Sequence, residues 1–221
     1  SLFLSRPYFL IVIAIGGGAV LPLGLAPFDW WPLILISIIS LQWVIERASS
    51  LSLAFLYAWL FGVGKYAAGV SWVYVSIREY GGASLELSSL LVILFVFGLA
   101  LFAGFTGFLA YFGRKLPPVG WTFFFAGSFV ICEWILTWFL TGFPWLFVGY
   151  AFLDTLYEEV APLGGILLVS YFGVVTASAL YGGKRDKRLL ILPAFLFLFC
   201  WSIGGVQWTA PGEEKSVALV Q

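Results

Sequence analysis

A lysine, a glutamate and a cysteine stand inside apolar runs of this chain, and together they offer two kinds of chemistry, ion pairing and acyl transfer to a thiol. Lys65 and Glu133 each sit in a stretch otherwise free of charge. An ionised group at the centre of a membrane helix costs roughly 2.5–3.5 kcal/mol, so each needs a partner. Counted from segment starts at 51 and 121, they lie roughly 21 and 18 Å along their helices at about 1.5 Å per residue, which matches them as an ion pair. The alternative is that Lys65 snorkels to the interface and Glu133 is neutral. Cys132 beside Glu133 completes a Glu-Lys-Cys set of the kind that forms thioesters. Adjacent helical residues, however, diverge by about 100° and cannot both address one carbonyl carbon. Apolar surroundings also disfavour the thiolate. No catalytic residue is assigned.

The other chemically specific stretch is TGFPWLFVGY, Thr141 to Tyr150. Gly142 and Pro144 break a helix, one by conformational freedom and the other by lacking an N–H. Phe143, Trp145, Phe147 and Tyr150 then suit a membrane interface, where a ring keeps one end dry and the other wet. An ordinary interfacial belt has the same composition, so the aromatics alone do not define a site.

The elements that must position these residues are membrane helices. Of 221 residues 62% are hydrophobic and 10% charged, with a mean hydropathy of +1.04, which excludes a water-soluble surface. Eleven basic residues balance eleven acidic ones and are dispersed, so no nucleic-acid footprint is present. The absence of histidine excludes histidine-based metal sites and bases, and no metal or cofactor is expected. Cys132 and Cys200 lie in apolar segments and read as small hydrophobes without a disulfide. Seven segments reach membrane length: 8–25, 31–46, 51–76, 86–112, 121–140, 162–182 and 188–204. The first lacks a small-residue cleavage site and reads as a retained helix. Alternating the segments puts Arg6, Arg47, Arg114, Lys115, Lys184, Arg185, Lys187 and Arg188 on one side, with Arg78 and Lys215 opposite. The positive-inside rule then places the N-terminus in the cytoplasm and the C-terminus outside. Gly62, Gly64 and Gly69, like Gly16–Gly18 and Gly98, Gly104 and Gly107, read as close-packing positions.

Four runs, LAPFDWWPL (25–33), FGVGKYAAGVSWVYVSI (61–77), TGFPWLFVGY (141–150) and SVALVQ (216–221), occur in an order that resembles the N-terminal membrane domain of bacterial apolipoprotein N-acyltransferase. The resemblance covers nearly the whole chain. It implies an all-α bundle of about seven transmembrane helices at 1–204, in the bacterial inner membrane. Residues 205–221 would be a periplasmic tail leading into the first strand of a nitrilase-like domain that is otherwise absent. It also implies a role in lipoprotein maturation, moving an acyl chain from phospholipid to the N-terminal cysteine amine of a diacylated lipoprotein. Catalysis would lie beyond residue 221, leaving this chain to present lipids and to be inactive alone. Gly142, Phe143, Pro144, Trp145, Trp72 and Tyr74 are the expected lipid-binding residues, lining a lateral opening. Where the family has an arginine three residues after the glutamate, this chain has Leu136, so Lys65 is expected to take that arginine's place beside Glu133. The competing reading is a small transporter or channel with Lys65 and Glu133 on its path, although no inverted repeat is found.

Overall fold

The computed structural model describes residues 7–210 and 212. Their regular structure is helical throughout: α1 (Pro7–Val20), α2 (Pro32–Arg47), α3 (Leu51–Gly69), the short α4 (Trp72–Val75), α5 (Leu85–Gly113), α6 (Pro118–Leu136), α7 (Ala161–Gly182) and α8 (Ile191–Ile203), joined by 3-10 and π turns. Among the described residues five stretches are long and apolar enough to cross a membrane: Pro7–Gly24, Leu51–Gly69, Leu85–Gly113, Pro118–Leu136 and Leu156–Gly182. Helices α2 and α8 occupy the second and seventh expected places but have 16 and 13 residues. The strand expected near the C-terminus falls outside the described residues.

Helix starts follow local chemistry. Ser50 and Ser84 each accept the amide three residues on, at 3.2 Å, from Leu53 and Leu87, satisfying a donor that the first turn leaves unpaired. Pro32 and Pro118 sit in first turns, where a missing N–H costs nothing.

Two spans end earlier than apolar length predicts. The third, expected to reach 76, stops at Gly69, after which Val70 leaves helical geometry (φ −119°, ψ 19°). A separate short piece, α4 with a π turn at Ser76–Tyr80, continues the chain. The fifth, expected to reach 140, stops at Leu136. The Phe143 amide returns to the Leu136 carbonyl at 2.7 Å, taking the acceptor that a continuing helix would have offered to residue 140. The reversal puts Leu140, Thr141 and Gly142 at φ of 48°, 79° and 84°. Glycine alone adopts that region without cost.

Helix α3 is central, with α1 and α5 packed against it, while α7 packs on α6, α2 and α8. The α1–α3 crossing depends on glycine. A Cβ on Gly18 would lie 1.9 Å from the Phe61 carbonyl oxygen, and one on Gly64 would lie 2.1 Å from that of Ile15. At one end of the bundle, Glu46 accepts from Trp121 Nε1 at 2.6 Å, Tyr181 Oη at 2.9 Å and Arg185 Nη1 at 3.1 Å. The guanidinium of Arg114 donates to the Ala48 carbonyl. The turns near 48, 114 and 185 therefore meet there. At the opposite end, Trp31 packs on Phe152 with centroids 6.1 Å apart and Trp72 on Trp145 at 5.9 Å.

Candidate functional site: an apolar groove and its anchored rim

A cavity of about 740 Å³ opens between α5 and α6. Phe95, Gly98, Phe102 and Phe105 of α5 form one wall, Ile135 and Leu136 of α6 the other, and Phe139 to Phe143 close one end. Leu94, Leu101 and Leu140, which also border it, are more than half exposed, so the groove opens sideways. Counted from the Gly113 end of α5 at about 1.5 Å per residue, it runs from roughly 12 Å (Phe105) to roughly 28 Å (Leu94). Its length of about 16 Å is close to half of a hydrocarbon core about 30 Å thick.

The rim is a chain of rings. Phe143 meets Phe95 edge-on at 5.0 Å, stacks on Trp145 at 5.6 Å with an interplanar angle of 23°, and Trp145 in turn tilts onto Trp72 at 5.9 Å. Of the expected lipid-binding residues, Gly142 and Phe143 line the groove, whereas Pro144, Trp145 and Trp72 do not. Trp145 and Trp72 stand behind Phe143 as its support, each about half exposed. Tyr74 borders a separate groove of about 450 Å³ between α3–α4 and α5. After Trp145, Leu146 takes a left-handed φ of 62° and the chain turns inward, so Phe147 is completely buried.

That inward turn is fastened from beneath. The Val148 amide donates to Glu133 Oε1 at 2.8 Å and the Gly149 amide to Ser170 Oγ at 2.8 Å. Lys65 and Glu133 face one small cavity of about 20 Å³, but among the described residues the only ion pairs within 4 Å are Arg78–Glu79 and Arg185–Glu46. The expected direct contact between Lys65 and Glu133 is thus not made. The Lys65 ammonium lies 5.1 Å from the Tyr66 ring centroid and 5.9 Å from that of Phe129. Leu136, buried between the two spaces, borders both groove and cavity. Cys132 borders the small cavity as well, so the divergence of adjacent helical residues does not keep it apart from Glu133. A space of about 20 Å³ nevertheless does not admit an acyl chain, and no catalytic role is assigned.

Sequence reasoning missed the walls of the groove and the role of Ser170. A signal for the walls existed: Phe95, Gly98, Phe102 and Phe105 repeat at three- and four-residue steps, one helix face with a gap at its glycine. Ser170 carried none, because its partner amide is 21 residues away in a loop.

A helical bundle with five membrane-length helices and a sideways-opening apolar groove defines an integral membrane protein. The sequence profile of the apolipoprotein N-acyltransferase N-terminal domain matches residues 17–180, and the chain belongs to that family. It is 38% identical over 219 residues to the apolipoprotein N-acyltransferase of Coxiella burnetii, covering 95% of this chain and 45% of that protein. The enzyme of Azotobacter vinelandii is 38% identical over 220 residues, covering 95% and 42% respectively. That of Pseudomonas aeruginosa is 37% identical over 220 residues, covering 95% and 43%. The chain spans a little under half the length of these relatives.

Proposed function

We propose that this chain is the membrane domain of an apolipoprotein N-acyltransferase and that the α5–α6 groove seats one acyl chain of a phospholipid donor. The observation that carries the reading is the groove itself: apolar, open to the side, about one leaflet deep, and closed at one end by Phe139 to Phe143. A two-chain lipid stays in its leaflet, so a lateral entrance at leaflet depth fits such a donor. With the basic turns near 48, 114 and 185 in the cytoplasm, the rim falls in the outer leaflet. In that arrangement α2 and α8 complete seven crossings, residues 1–204 form the membrane domain of an inner-membrane protein, and 205–221 lead outward to a nitrilase-like domain. There a cysteine would take the acyl chain as a thioester and pass it to the amine of a diacylated lipoprotein. The transporter reading gains no support, because the cavity shared by Lys65 and Glu133 has about the size of one water.

Gly98 provides the test. A Cβ added there meets nothing within 4 Å, so Gly98→Phe should fill the groove without disturbing the bundle. Native mass spectrometry of the purified chain should show retained phospholipid falling at least tenfold. Trp145→Ala should weaken retention by about 1–2 kcal/mol through loss of support for Phe143. Undiminished lipid in a folded Gly98→Phe protein would sink the assignment.

A further inference from the structure

Glu133 and Lys65 are both more than nine-tenths buried, at 3% and 4% exposure. Glu133 uses one carboxylate oxygen on Val148, while the other, Oε2, has no hydrogen-bond partner among the described residues. Both side chains border the cavity of about 20 Å³, together with Tyr66, Thr106, Cys132 and Phe129. A buried water needs about 10–15 Å³ of such space and two to four polar partners. The cavity therefore has room for a water. An unpaired carboxylate oxygen and an ammonium that faces the Tyr66 and Phe129 rings are the partners such a water requires. A buried polar group without a partner is costly, which favours occupancy.

We propose that this cavity is a site for one structural water that donates to Glu133 Oε2 and accepts from Lys65 Nζ, so that the two charges meet through it and Glu133 acts as a positioning residue for the Val148 segment. The chain of contacts runs from α3 through the water to α6 and on to the Val148 amide. Five residues before Val148 stands Phe143, the ring that closes the groove. The water site stands apart from the acyl-chain reading. Only its consequence, that the bridge sets the shape of the lipid groove's rim, rests on that reading.

The experiment has two arms, neither of which uses a lipid-binding assay. A map of the chain in lipid nanodiscs, sharp enough to show ordered solvent, should place one water within hydrogen-bond distance of both Lys65 Nζ and Glu133 Oε2. A direct Lys65–Glu133 contact, or a dry gap between them, would overturn the site. Hydrogen exchange on the same preparation should show the Val148 amide exchanging at least tenfold faster in Glu133→Leu, with Gly149, held by Ser170, changing less. Glu133→Gln keeps an acceptor and should restore protection of Val148. Equal exchange at Val148 in Glu133→Leu and the parent would remove the positioning role. So would a Glu133→Gln protein that exchanges as fast as Glu133→Leu.

Discussion

Two glutamates, Glu46 partly buried and Glu133 fully so, stand at opposite ends of the bundle, and they are held in opposite ways. Glu46 is surrounded by donors: Trp121, Tyr181 and Arg185 all reach its carboxylate. Glu133 has one amide, the neighbouring Ser170 hydroxyl and, across a cavity, one lysine. The number of contacts does not rank their importance, because the partners differ in access to water. The Arg185 side chain is 54% exposed and resolvates if its partner is lost, whereas Lys65 has no such recourse. Glu46 closes the basic end of the bundle. Glu133 holds up the aromatic end, where the groove is.

The largest expected effect follows from that difference. Glu133→Leu strands a buried lysine and releases the Val148 amide, and should destabilise the chain by about 3–5 kcal/mol, the usual cost of removing one member of a buried pair. Glu46→Leu removes more hydrogen bonds but should cost less, about 2–3 kcal/mol, since only Trp121 and Tyr181 are left wanting an acceptor away from water. Detergent unfolding followed by far-UV circular dichroism compares the two, and a larger loss for Glu46→Leu would reverse the ranking. Next in size is the coupling: Lys65→Leu combined with Glu133→Leu should cost about 1–2 kcal/mol less than the sum of the single changes. Strict additivity would mean that the two charges do not feel each other. Smallest is Trp121→Phe, which keeps the ring but loses the indole donor to Glu46. It should cost about 1 kcal/mol, because Tyr181 and Arg185 remain.

Much of this architecture was legible in the sequence. Apolar length located a helix at every expected place, although α2 and α8 are shorter than the five stretches of membrane length. Helix ends were less legible. Trp138, Phe139 and Leu140 are as apolar as the residues before them, and α6 stops at Leu136 because the Phe143 amide comes back to its carbonyl, a tertiary event that composition does not record. The shared depth of Lys65 and Glu133 was readable from helical rise, but the gap between them depends on how α3, α5 and α6 pack. The groove was hidden for a related reason. A stripe of phenylalanines facing lipid and one facing a cavity have the same spacing, and only the divergence of α5 from α6 separates the two.

Helix α5 has 29 residues where α3 and α6 have 19, so it is about 43 Å long against about 28 Å. An ordinary bilayer, with a core of about 30 Å, matches its neighbours and not α5. The extra length is taken up by tilting α5, by thickening the lipid along its exposed side or by projecting the Glu86 end beyond the core. The groove lies on that helix, so bilayers built from shorter- or longer-chain lipids would load α5 differently from α3 and α6. Membrane thickness thereby acts on the one wall of the groove that can lean.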